Sequence, residues 1–240
     1  NIYEKEERHF FYRANHALVL SFVSDLRNKH KRTLKILDAG CGTGLLAKRL
    51  QKFGDVTGVD ISPKAILYSK KRGINVKKAS INKLPFNSKI FDIVVSMDVL
   101  YHKKVDDKKA LAEMYRVLKP GGIIILRVPA NPILFSSHDR YVHTRERYTK
   151  IKLIEKLTQA GFKVREISYI NGLLFFPAFA KVILARIINS HDVHSGIKSV
   201  PHFINQTIIF LLRIENLLIN RATLPFGIGL FAVAKRPDLS

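Results

Sequence analysis

The feature that most restricts this chain is a glycine turn between two periodicities. Residues 35–38 read as a short buried strand, and residues 45–53 repeat at the spacing of one helix face. Between them stand Gly40, Gly42 and Gly44. A buried strand that feeds a helix through such a turn opens a parallel α/β sheet. The alternation continues downstream. Residues 56–59, 74–78, 91–96, 123–128, 163–170 and 228–234 read as further strands. The run at 91–96 is apolar apart from Asp92 and Ser96, so it is expected to be covered on both faces. Helices are predicted over 63–72, 107–118 (stopped by Pro120-Gly121-Gly122) and 150–160 (capped by Gly161). Strands alternating with helices place helices on both faces of the sheet.

Three stretches stand outside this rhythm. Residues 6–26 read as a leader helix and 129–149 as a polar loop rich in His and Arg. Residues 171–227 interrupt the last two strands and carry two apolar segments, 173–188 and 204–219. Lys181 and Arg186 break the first, and Arg213 and Glu215 the second, so both suit amphipathic helices rather than membrane spans. Two readings follow: a helical cap packed on the protein's own core, or an interfacial pair whose apolar face enters the headgroup region while lysines hold anionic lipid.

Formal net charge is +22 over 240 residues. That balance fits an anionic partner (nucleic acid, lipid surface or phosphorylated substrate) or a solvated basic surface, because the lysines are spread rather than blocked. One cysteine, Cys41, excludes an internal disulfide and points to a reducing compartment. Residues 1–13 lack the apolar core of a signal peptide. A cytoplasmic location is expected, peripheral at the membrane if the insertion is interfacial. Scattered histidines offer no metal-ligand spacing, so no metal is expected.

The turn reads Asp38-Ala-Gly40-Cys41-Gly42-Thr-Gly44. Glycines there let a ligand approach the backbone without a Cβ in the way. Asp60 ends the next strand, at the same sheet edge, where a carboxylate can accept both hydroxyls of a ribose. A dinucleotide fingerprint needs its third glycine at position 45, which is Leu45. Asp38 before a shorter glycine spacing suits a nucleoside with an attached amino acid and no pyrophosphate.

With these residues in place the chain resembles class I S-adenosylmethionine-dependent methyltransferases of the "type 11" family. Leu37-Asp-Ala-Gly-Cys-Gly-Thr-Gly44 is similar to the family's first motif and Val59-Asp60 to its ribose-binding acid. Leu84-Pro-Phe86, Phe91-Asp92, Met97-Asp-Val-Leu-Tyr-His102 and Tyr115-Arg-Val-Leu-Lys-Pro-Gly-Gly122 resemble later segments. The resemblance implies a Rossmann-like, doubly wound α/β sheet of seven strands with the last antiparallel. It implies a methyltransferase domain over 1–170 plus 228–240, with 1–30 as a helical cap and 171–227 as a helical insertion. It implies S-adenosylmethionine as cofactor, held by Asp38, Gly40, Cys41, Gly42, Gly44, Asp60 and the neighbouring Ile61. Ser96 and Met97 would flank it, and Arg13 would bind its carboxylate if the leader folds over the site. Ser80 and Ile81 stand where the family often has an adenine-binding acid, so a hydroxyl or backbone contact is expected there.

Methyl transfer needs alignment and a dry pocket, and a hydroxyl acceptor also needs a base. His102, His138, Asp139 and His143 are the candidates, with Asp139 placed to orient His138. The expected function is methyl transfer to a small-molecule or lipid-linked acceptor, saccharide or quinone, through an oxygen nucleophile. The alternatives are an RNA methyltransferase, favoured by charge alone, and a non-catalytic S-adenosylmethionine-binding protein.

Overall fold

A computed structural model describes residues 2–30, 32–188, 200–219 and 222–238. The parts of the insertion at 189–199 and 220–221 lie outside the described residues, as do 239–240 of the last segment. Seven strands form one sheet: β1 (Leu34–Ala39), β2 (Gly54–Asp60), β3 (Asn75–Lys78), β4 (Phe91–Met97), β5 (Leu118–Pro129), β6 (Lys163–Ile170) and β7 (Gly229–Lys235). Their order is β3-β2-β1-β4-β5-β7-β6, with β7 antiparallel to both its neighbours. The other pairings are parallel, so the carboxyl ends of β1, β2, β4 and β5 share one edge.

The central strands β1, β4, β5 and β7 are buried on both faces, and each face has its own core. Helices α5 (Asp107–Val117) and α7 (Lys150–Gln159) close one side, through Leu111, Met114, Leu153 and Leu157 packed on Leu37, Val94 and Leu126. Helices α2 (Phe10–His30) and α3 (Leu45–Leu50) close the other, where Leu18, Val19 and Val23 meet Ile36, Ile93 and Ile125. The leader expected as a cap is therefore also a structural layer of the sheet. A short helix, α1 (Ile2–Lys5), precedes it, so the leader is two helices rather than one over 6–26. The break arises because Glu6 turns inward while Asn205 Oδ1 and His9 Nδ1 accept the first N–H groups of α2, from Phe10 at 2.9 Å and Phe11 at 3.3 Å.

Two other expectations shift. Helix α5 ends at Val117, before Pro120-Gly121-Gly122, and β5 begins at once. Its last carbonyls are taken by buried Arg236, which donates to Tyr115 O at 2.7 Å and Leu118 O at 2.8 Å. The segment 129–149 is not a plain loop. It holds a 3₁₀ turn (Pro132–Leu134) and helix α6 (Ser137–Tyr141), started by a capping box of Ser136 and Asp139. The insertion is helical as expected, with α8 (Phe175–Ile187) and α9 (His202–Ile219). It leaves the sheet at Ile170 and returns at Gly229; these two pair with each other, and Gly229 pairs in turn with Pro129 at the end of β5. Helix α4 (Pro63–Lys71) completes the fold over β2 and β3.

Candidate active site

The turn after β1 is built by short local bonds. The Gly40 and Cys41 N–H groups both donate to Val59 O, at 2.8 and 2.9 Å, and Gly44 N donates to Cys41 O at 2.9 Å. Gly40 has φ +88°, and a Cβ there would meet Val99 Cγ2 at 2.3 Å, so the position admits no side chain. Gly42 (φ +54°) differs: a Cβ would meet nothing within 4 Å, and the backbone faces open space. Its N–H donates to Asp60 Oδ2 at 2.9 Å, while Ser62 N donates to Asp60 Oδ1 at 2.9 Å. Asp60 is thereby fixed at the mouth with lone pairs left for two hydroxyls.

Asp38 lies beneath the turn, 2% exposed, and its Oδ2 has no hydrogen-bond partner. Burial and the nearby Asp60 charge push its carboxyl up to about 7, against a hydrogen bond from the Ala47 backbone. An unpartnered buried carboxylate oxygen calls for a cation or a donor. The open backbone at Gly42, the fixed Asp60 and the orphaned Asp38 oxygen together fit a nucleoside that carries a cationic amino-acid tail.

The other cofactor-side residues divide. Ser96 Oγ donates to Ala39 O at 2.8 Å and ties β4 to β1, while Met97 is half-buried at the end of β4. Cys41 contributes backbone only: its thiol packs under β2, where a Cβ at Gly58 would meet Sγ at 2.8 Å, and burial pushes it up to about 12. Ile61 is exposed and Ile81 is core, so Ile81 offers only its backbone to a ligand. Ser80 Oγ accepts from Asn82 N at 3.2 Å. Arg13 is half-buried on α2, near Arg49 of α3, whose guanidinium is lowered by burial first and by the Arg13 charge second.

The base candidates are not brought together. His102 is half-buried, stacks on Tyr101 at 4.4 Å and is hydrogen-bonded by the backbone of Asp98 and Val142, which makes it a loop anchor. His138 is exposed on α6, and His143 is exposed with φ +57°. Asp139 is not aimed at His138. Its carboxylate accepts from Ser136 N at 2.9 Å and from Arg147 Nε at 2.9 Å and Nη2 at 3.1 Å.

Sequence reasoning missed two groups. At the carboxyl ends of β4 and β5, Asp98 pairs with buried Arg127, whose guanidinium lies 4.6 Å from the Phe11 ring centroid. Burial and the Asp98 charge push Tyr12 up to about 12 and raise Tyr101 as well, so both phenols stay protonated. The second group clamps the leader onto the glycine turn. Buried Glu6 accepts from Thr43 Oγ1 and from Arg72 Nη1 at 2.6 Å, and Arg72 also donates to Thr43 O at 2.9 Å and Tyr3 O at 3.2 Å. Ser69 of α4 donates to Gly42 O at 2.9 Å from below. A shallow groove lined by Gln51, Asp55 and Asn75 lies at the opposite sheet edge, away from all of these groups.

A seven-stranded sheet of this order, with a glycine turn after its first strand and an acid at the end of its second, is the architecture of class I S-adenosylmethionine-dependent methyltransferases. The methyltransferase-domain family model matches residues 37–126. A demethylmenaquinone methyltransferase of Chlorobaculum parvum is 36% identical over 177 residues, 61% of this chain and 70% of that protein. A malonyl-[acyl-carrier protein] O-methyltransferase of Buchnera aphidicola is 29% identical over 160 residues; the match takes in 63% of this chain and 62% of that relative's length. Among solved structures, a methyltransferase of Thermotoga maritima shares the fold with TM-score 0.60 at 18% identity, over 95% of this chain and 92% of that one. The chain belongs to the S-adenosylmethionine-dependent methyltransferase family, and S-adenosylmethionine is its cofactor.

Proposed function

We propose that the protein transfers a methyl group from S-adenosylmethionine to an oxygen of a small or lipid-linked acceptor, of quinone or saccharide type. The observation that carries the reading is the pairing of two built edges: the Asp38–Gly42–Asp60 cradle, and beside it the Asp98–Arg127 pair under Phe11, Tyr12 and Tyr101. The bound cofactor supplies a methyl already activated by a sulfonium charge. The chain's own task is to hold the acceptor in line, keep the pocket dry and receive a proton. Asp98 is our candidate for the last role. Its carboxylate is held by Arg127 yet remains partly open, so it can accept a hydrogen bond from an acceptor hydroxyl. The neutral phenols of Tyr12 and Tyr101 are suited to line a pocket for a flat or apolar acceptor.

Among the relatives' names, a malonyl-[acyl-carrier protein] O-methyltransferase supports an oxygen nucleophile, and three demethylmenaquinone methyltransferases support a quinone-type acceptor without bearing on the oxygen. Asp60→Ala tests the foundation. It removes a charged acceptor and frees two N–H groups, so S-adenosylmethionine affinity measured by calorimetry should fall roughly ten- to hundredfold. Unchanged affinity, or no binding by the unaltered chain, sinks the reading. Asp98→Asn, assayed with labelled cofactor against quinols and lipid-linked sugars, should lower turnover while leaving cofactor affinity in place.

A further inference from the structure

Helix α9 is apolar on both of its sides. Its inward side buries Ile209, Leu212 and Ile219 and also carries Asn205, Glu215 and Asn216, each of which is used. Asn205 bonds the Phe10 N–H and the Arg8 carbonyl, and Asn216 donates to Ala14 O at 2.9 Å. Glu215 accepts the Asn171 and Leu173 N–H groups. Its outward side carries Phe203, Phe210 and Leu217, exposed by 81%, 63% and 68%. Seven-residue spacing puts these three on one stripe, with Ile214 between them. Helix α8 repeats the pattern, burying only Val182 while Phe176, Leu184 and Ile187 face out. Surface apolar residues scattered singly need no account, but two insertion helices that each direct several large apolar side chains outward do.

We propose that this face docks on an anionic phospholipid bilayer. Charge selects the occupant. The exposed charged residues of α8 and α9 are Lys181, Arg186 and Arg213, and the single acid, Glu215, is buried. Apolar side chains beside cations, on a chain of formal charge +22, complement a negative headgroup layer and disfavour a second copy of the same chain. Among the described residues no helix is long and apolar enough to cross a membrane, so the contact is interfacial. Position gives it a use. The insertion springs from the sheet edge that ends in Pro129 and Gly229, and α9 lies along the start of α2, whose Phe11 covers Arg127. Docking would therefore set the acceptor side of the active site against the lipid. That use rests on the methyl-transfer reading, whereas docking itself does not.

Flotation of the full chain tests it, with vesicles of phosphatidylcholine alone or mixed with phosphatidylglycerol. The chain should float with the mixed vesicles, at least tenfold more tightly than with neutral ones, and high salt should weaken but not abolish the binding. Phe203→Ser, Phe210→Ser and Leu217→Ser combined should weaken it roughly tenfold or more, with S-adenosylmethionine affinity and melting temperature unchanged. Because the chain has no tryptophan, Leu217→Trp reports insertion directly, as a blue shift of emission on mixed vesicles. No flotation, flotation undiminished by the triple substitution, or a micromolar dimer in sedimentation that the triple substitution dissolves would overturn the proposal. Flotation without cofactor binding would leave docking standing and remove the methyl-transfer reading.

Discussion

Asp38 makes the most specific demand of any single residue. In the free protein its carboxyl is raised to about 7 by burial and by Asp60, and one oxygen lacks a partner. A folded-state value above the unfolded one means that ionising Asp38 costs stability as pH rises from about 4 to 7. A cationic ligand reverses that cost, since it binds the ionised form. Cofactor affinity should therefore climb roughly tenfold between pH 5.5 and 7 and then level off, in a window below the titration of the cofactor's own amino group. Calorimetry across that range checks it, with Asp38→Asn expected to flatten the curve. A flat curve for the unaltered chain would mean that Asp38 does not meet the ligand's charge. Cys41 needs no such attention: its thiol is buried and held near 12, so it stays protonated at neutral pH.

At the scale of elements, the leader is fastened to the glycine turn chiefly by buried Glu6, with exposed Glu7 3.5 Å from the same Arg72 guanidinium. Glu6 and Arg72 are both nearly inaccessible, and Arg72 is stacked under Tyr3 at 4.2 Å. Glu6→Ala would leave the buried guanidinium with only exposed Glu7 as counter-charge, a loss of up to about 3 kcal/mol. Water can reach Arg72 only if α1 lifts, so the loss should appear as local opening and not as global unfolding. Hydrogen exchange over residues 2–9 should accelerate, and cofactor affinity should drop roughly tenfold, while β1 to β5 keep their protection. Unchanged exchange in the leader would show that other contacts hold it. This clamp also marks where sequence reading stops. Strands such as 91–97 were legible because burial on both faces leaves an apolar run, and the cradle because backbone geometry demands glycine at Gly40 and an open approach at Gly42. Glu6 and Arg72 stand 66 residues apart, Asp98 and Arg127 29 apart, and no local pattern marks either pair. Sequence adjacency misled in the same way at His138-Asp139, because Asp139 serves the α6 cap and Arg147.

For the whole molecule the governing quantity is charge. A formal +22 over 240 residues is more concentrated in the folded chain than in the unfolded one, so self-repulsion weighs against the native state. Salt acts on two opposing contributions. It screens the long-range repulsion between exposed lysines, and it weakens ion pairs. The pairs that matter most have a sheltered carboxylate, although their cations are partly exposed. Asp92 is buried and held down to about 2 by Arg32, Lys119 and the Lys35 N–H, and Asp107 binds Arg145, Lys156 and the fully buried Tyr148. Such pairs lose little to screening, so relief of repulsion should win. Raising sodium chloride from about 0.02 M to 0.3 M, across which the screening length falls from about 20 Å to below 8 Å, should lift the melting temperature by a few degrees, or roughly 1 kcal/mol for a chain of this size. Scanning calorimetry at the two ionic strengths decides the matter. A fall in melting temperature would mean that surface ion pairs outweigh repulsion. The basic surface would then be a stabilising network rather than a destabilising charge that an anionic partner can neutralise.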